Sequence, residues 1–135
     1  MLKIIYAKRG SGKTKEMIKM ANADVENLKG NIVFLDKDNH CMLDLHHDVR
    51  YINAKEYGKL SLDYFMGFFG GVMASNYDIE KIYIDGIAGL LDEQELKAAI
   101  DYIAKHAEKG GVDVIMSVSG NKDEMPDYVK EFVAV

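Results

Sequence analysis

The chain has 135 residues, 48% of them apolar, a formal net charge of −5 and an isoelectric point near 5.3. This length suits one domain spanning residues 1–135, and an acidic balance without a Lys/Arg run gives no strong nucleic-acid signal. The single cysteine, Cys41, excludes an intrachain disulfide and a cysteine-built zinc site, and points to a reducing, cytoplasmic setting.

The apolar run Leu2–Tyr6 predicts a buried strand, followed at once by Ala7-Lys8-Arg9-Gly10-Ser11-Gly12-Lys13-Thr14. A glycine-rich turn between a strand and a helix directs successive backbone N–H groups inward, where they cradle phosphates at the positive end of the helix dipole. Gly10 and Gly12 permit the dihedrals and the close approach that a side chain would block. Lys13 reaches the β- and γ-phosphates, and the Thr14 hydroxyl is a magnesium ligand. Ala7 takes the place of the first glycine of the usual pattern, at a position that belongs to the strand end.

Met17, Ile18, Ala21, Val25 and Leu28 then repeat at helical spacing, with Gly30 as the residue expected to close that helix. Asn31–Asp36 reads as a buried strand ending in charge. Residues 37–48 are polar, with short strands expected near Met42–Leu45 and Val49–Asn53. His40, His46 and His47 match no established ligand spacing, so they read as a solvated loop rather than a metal site.

Ser61 is expected to cap a helix whose stripe is Leu62, Phe65, Met66, Phe69, Val72 and Met73. Gly70-Gly71 costs that helix roughly 2 kcal/mol relative to alanines, which points to close helix–sheet packing. Tyr64 and Phe68 fall off the stripe, so a small docking patch is an alternative to core there. The uncharged stretch from Tyr64 to Tyr77 covers 14 residues, a length that suits a buried helix better than a membrane span. The apolar run at the N-terminus is too short for a signal peptide.

Lys81–Asp85 is the next strand. Asp92 with Glu95 forms a capping box, and Leu96, Ala99, Ile100, Ile103 and Ala107 line one face before Gly110-Gly111. Val112–Val118 is a further buried strand. Pro126 opens a last short helix, which Phe132–Val135 either finishes or leaves for an edge strand.

Continuously apolar strands alternating with helices specify an α/β fold whose parallel sheet is covered on both faces. Ligands of such sheets bind at the carboxyl ends of the strands. Asp36, Asp85, Ser117, Ser119 and the glycine-rich loop all fall at such ends. Ile82-Tyr83-Ile84-Asp85 has the form of a Walker B motif, whose carboxylate holds Mg²⁺ opposite Thr14.

With both motifs placed, the chain resembles P-loop ATPases of the division in which another strand separates the Walker A and Walker B strands. Its spacing is similar to that of RecA-like ATPases and of secretion and twitching-motility (PilT-type) ATPases. It also resembles very small bacterial P-loop proteins often labelled PilT-like. The resemblance implies a three-layer α/β/α P-loop NTPase fold with a mostly parallel sheet, and ATP rather than another nucleotide. In these families a catalytic carboxylate closes the strand after the P-loop helix. Asp36 occupies that place, 23 residues after Lys13 (36 − 13), and Asp85 follows 72 after it (85 − 13). Asp38 is the substitute if the strand runs further.

The departures are specific. Gly86 follows Walker B in place of a catalytic acid, and the chain has only two arginines, Arg9 and Arg50, as candidates for an arginine finger. A GTPase reading finds Asn121-Lys122-Asp123-Glu124 where guanine would be read, but the last residue is Glu and Thr14 is the only threonine. A small-molecule kinase lacks its arginines.

These residues lead to one expectation: Mg·ATP on Lys8, Arg9, Gly10, Ser11, Gly12, Lys13 and Thr14, with Mg²⁺ on Thr14 and Asp85. Lys13 and Asp36 act in slow hydrolysis to ADP and phosphate. The alternative is a nucleotide-dependent switch that hydrolyses little, with residues 37–49 or 61–74 ordered by ATP and read by a protein partner or by self-association.

Overall fold

The computed structural model describes residues 1–39 and 42–133. Its strands are β1 (Leu2–Ala7), β2 (Asn31–Asp36), β3 (Val49–Asn53), β4 (Ile79–Asp85) and β5 (Asp113–Ser119). The helices are α1 (Lys13–Asn27), α2 (Leu62–Ser75), α3 (Glu93–Gly110) and the single turn α4 (Asp127–Lys130). All five strands run parallel in one sheet, in the order β1-β5-β4-β2-β3. The strand that precedes the glycine-rich loop is thus separated from β4 by β5.

The sheet is buried on both sides because its central strands carry apolar side chains at successive positions, not at alternate ones. Ile32, Phe34, Tyr83 and Ile115 point to one face, where Met17 and Ala21 of α1 cover them. Val33, Leu35, Ile82, Ile84, Val114 and Met116 point to the other, under Phe65 and Phe69 of α2 and Ala99, Ile100 and Ile103 of α3. The result is the expected three-layer α/β/α arrangement. Among the described residues no helix is long and apolar enough to cross a membrane.

Several local expectations hold. Ala7 is the last residue of β1, and Ser61 caps α2, its hydroxyl accepting the Tyr64 N–H at 3.1 Å. Asp92 and Glu95 form the reciprocal capping box of α3, and Gly111 ends that helix in the left-handed region at φ 66°. Val133 pairs in parallel with Ile4 as a short edge bridge, while Ala134 and Val135 lie outside the described residues.

Others are corrected. Helix α1 ends at Asn27, with Leu28 already extended, so Gly30 does not close it. Gly30 instead meets β4: a Cβ there would collide with the Glu80 side chain and lie 2.5 Å from the carbonyl oxygen of Asp78, just before that strand. Gly70 makes room for a neighbouring helix rather than the sheet, since its Cβ would lie 2.7 Å from the Tyr102 hydroxyl of α3, and Gly71 faces open space. Residues 42–45 form turns and a bend, not a strand, and helix α1 rather than a neighbouring strand holds the Asp44 carbonyl. Asn22 of α1 donates to the Asp44 carbonyl at 2.9 Å and accepts the His46 N–H at 2.7 Å. Tyr64 and Phe68 are occupied within the chain. The Tyr64 hydroxyl donates to the Ala54 carbonyl at 2.6 Å, and its ring lies 5.6 Å from that of Phe68.

Candidate functional site

The loop between β1 and α1 is shaped by two glycines in the left-handed region, Gly10 at φ 81° and Gly12 at φ 94°. A side chain at either position is strained by its own backbone. Gly12 is also the cap position of α1, and it offers no side-chain cap to the N–H groups of that helix's first turn. The residues of that turn, Lys13, Thr14 and Lys15, line the cavity at the carboxyl ends of the strands. Lys13 folds back over the loop, its ammonium donating to the carbonyls of Ala7 at 3.0 Å and Lys8 at 2.9 Å. Burial holds its pKa below the ordinary lysine value of 10.5; nearby Asp85 acts in the opposite direction and Arg9 adds to the lowering.

Helix α1 is pinned to the sheet from below. Asp24 pairs with the Lys81 ammonium at 2.8 Å and accepts the hydroxyl of the fully buried Tyr83. Burial and that hydrogen bond push the Tyr83 pKa well above the usual tyrosine range. The glycine-rich loop therefore leads into a helix fixed on β4.

Asp85, at the end of β4, is 6% exposed and joins three elements. Its Oδ2 accepts the Thr14 hydroxyl at 2.8 Å and its Oδ1 accepts the Ser117 hydroxyl at 2.6 Å. Ser117 in turn accepts the Gly86 N–H at 3.3 Å. Of the two serines singled out on β5, the structure thus engages Ser117 with a carboxylate, and Ser119 lines the cavity opposite Ala7. Thr14 and Asp85 offer hard oxygen donors next to the loop, a donor set suited to Mg²⁺.

Asp36 ends β2 in register with Asp85, so the two carboxylates leave neighbouring strands at the same level. It is 3% exposed, and its partners differ from those of Asp85. Its Oδ1 accepts the Lys37 N–H at 2.8 Å and its Oδ2 accepts the Tyr51 hydroxyl at 2.8 Å. Tyr51 also bonds to the Asp38 carbonyl. Asp36, not Asp38, lines the cavity with Lys13, Thr14 and Asp85.

The cavity holds about 650 Å³, a size ordinary for a small-molecule site. Arg9, Lys15, Lys37 and Asp44 complete its charged lining. A cleft of about 620 Å³ beside Leu2, Ala107 and Phe132 lies at the opposite ends of the strands, away from the loop. Arg50 lies on β3 in register with Val33 and lines a separate cleft with Asn31 and Asp48, so it does not reach this cavity from within the chain. Asn121, weighed as a guanine reader, spends its side-chain oxygen on the Asp123 N–H at 3.1 Å. His46, His47 and Asp48 form an exposed cluster, and the Asp48 N–H occupies His46 Nδ1 at 3.0 Å; His40 and Cys41 lie outside the described residues.

Two contributors escaped the sequence. Tyr51 looks like any edge-strand aromatic, and nothing in its neighbours announces a bond to Asp36. Lys37 has one available signal, a cation immediately after a strand-end carboxylate. No protein-family model matches the chain, and a comparison with curated proteins finds no match.

Proposed function

We propose that this protein binds Mg·ATP at the Ala7–Thr14 loop and hydrolyses it slowly. One observation carries the reading. The uncapped first turn of α1, Lys13, Thr14 and both strand-end aspartates converge on a single cavity of about 650 Å³. The position of β5 between β1 and β4 supports the RecA-like and PilT-type division over other P-loop classes.

In this reading the loop amides and the Lys13 ammonium hold the β- and γ-phosphates. Thr14 and Asp85 bind Mg²⁺, which neutralises phosphate charge when present. A water oxygen bonds to the γ-phosphorus as the bond to the β–γ bridging oxygen breaks, and that electron pair leaves with ADP. Asp36 orients the water and takes its proton.

The deciding experiment is phosphate release from Mg·ATP, with Lys13→Ala purified identically. Turnover in wild type and none in the variant is expected, together with a loss of triphosphate affinity of about 2–4 kcal/mol. Asp36→Asn is expected to keep Mg·ATP affinity within about twofold while turnover falls roughly 100-fold or more. Equal turnover in wild type and Lys13→Ala rejects the ATPase. Full turnover in Asp36→Asn removes that residue from its role.

A further inference from the structure

An enzyme of this kind needs a cation at the γ-phosphate beyond the loop lysine, commonly an arginine finger worth several orders of magnitude in rate. Arg50 lies on another cleft, and Arg9 belongs to the phosphate loop itself. Of the other lysines lining the cavity, Lys15 belongs to α1 on the loop side, and Lys37 is the candidate on the far wall. It follows Asp36 directly, is half-buried, and lines the cavity with Lys13, Thr14, Asp36 and Asp85.

Two features aim this side chain. Its backbone N–H is held by Asp36 Oδ1 at 2.8 Å, which fixes where the residue leaves the sheet. Its aliphatic stem then crosses Gly86, where a Cβ would lie 3.0 Å from Cδ, 3.1 Å from Cγ and 3.3 Å from Cε. Gly86 sits at φ +76°, so the residue that replaces a catalytic acid after Walker B leaves open the track along which Lys37 runs. Among the described residues no ion pair restrains the Lys37 ammonium, in contrast to Lys81, which is bound to Asp24.

We propose that Lys37 is a γ-phosphate ligand, a finger supplied from within the chain, and that it makes the site prefer a triphosphate to a diphosphate. This rests on the nucleotide-binding reading above. A lysine in this role contacts the γ-phosphate as a point charge, whereas the loop amides and Lys13 serve both nucleotides. The preference therefore resides in one side chain at the end of β2.

Calorimetric titration with Mg·ADP and with the Mg complex of the unhydrolysed imido-bridged ATP analogue tests it, on wild type, Lys37→Met, Lys37→Arg and the distant exposed Lys105→Met. Lys37→Met is expected to weaken the triphosphate analogue by roughly ten- to thirtyfold and leave Mg·ADP within about twofold. Retained Mg·ADP binding also certifies that the variant is folded. Lys37→Arg restores most of the preference, and Lys105→Met changes neither ligand, which separates local contact from net charge. Equal losses for both ligands, or no loss for either, overturn the role of Lys37 while leaving nucleotide binding intact. Wild type that binds neither ligand overturns the nucleotide-binding reading itself, and this proposal with it.

Discussion

The helix starts of α1 and α3 solve the same problem in opposite ways. The first-turn N–H groups of any helix lack intrahelical partners and need acceptors. At α3 the chain supplies them: Asp92 Oδ1 accepts the Glu95 N–H at 2.9 Å, and Glu95 Oε1 accepts the Asp92 N–H at 3.0 Å. At α1 the cap position is a left-handed glycine with no side chain to offer, next to a lysine whose ammonium rests on loop carbonyls. A helix end closed by its own residues is structural. On the proposed function, one left open, beside a cavity that also holds a hydroxyl and two carboxylates, is the end that an anion completes.

The largest effect that would sharpen this contrast is ligand-induced stability. If phosphate completes α1, Mg·ATP at about 100 times its dissociation constant stabilises wild type by about 2.7 kcal/mol. Thermal melting reads this directly, and Lys13→Ala should show no shift at the same concentration. Hydrogen exchange localises it: amides at Lys13–Glu16 gain protection with nucleotide, while those at Glu93–Leu96 do not change. Equal gains at both helix starts would erase the distinction.

The pH dependence of binding is the next effect in size. Burial lowers the Lys13 pKa, so the free protein begins to lose this proton below the ordinary value of 10.5. A bound polyanion favours the protonated form and raises that pKa again. Affinity for Mg·ATP is therefore level at neutral pH and falls, by up to about tenfold per unit, once pH exceeds the lowered value in the free protein. Titration between neutral pH and pH ~10, within the range where lysines ionise, checks it, and affinity that rises across that range contradicts the assignment. The sign for folding is the opposite, with stability rising rather than falling as pH climbs. A charged Lys13 is disfavoured in the native state, so that cost is relieved as pH rises through the lowered pKa toward the unfolded value.

The smallest effect belongs to α3. Asp92→Ala is expected to lower stability by about 1 kcal/mol through loss of the cap, with nucleotide affinity unchanged. Denaturant melts and titration of the same variant measure both. A change in affinity would mean that the α3 start is coupled to the site, and the two helix ends would no longer be separable.

The sequence by itself determined the elements and the chemistry local to them. Strand identity follows from runs such as Ile82–Ile84, apolar on both faces, and the capping box and Gly111 set the limits of α3. The glycine-rich loop is legible because its requirements are contiguous: glycines for two left-handed residues, then Lys and Thr at the start of a helix. Tertiary structure decided everything that depends on which strand lies beside which. Strand order put β5 between β1 and β4, and with it Ser117 against Asp85. Register set Asp36 level with Asp85, and brought Tyr51 from the edge strand to Asp36. Long-range packing assigned Gly30 to β4 and Gly70 to Tyr102, where local reading gave the one a helix end and the other a sheet contact. It also placed Lys37 in the cavity and Arg50 outside it, although both are cations near the ends of strands. Local dihedral and hydrogen-bond needs are written in adjacent residues, whereas register and sheet order arise from the summed burial of many side chains, which no short motif encodes.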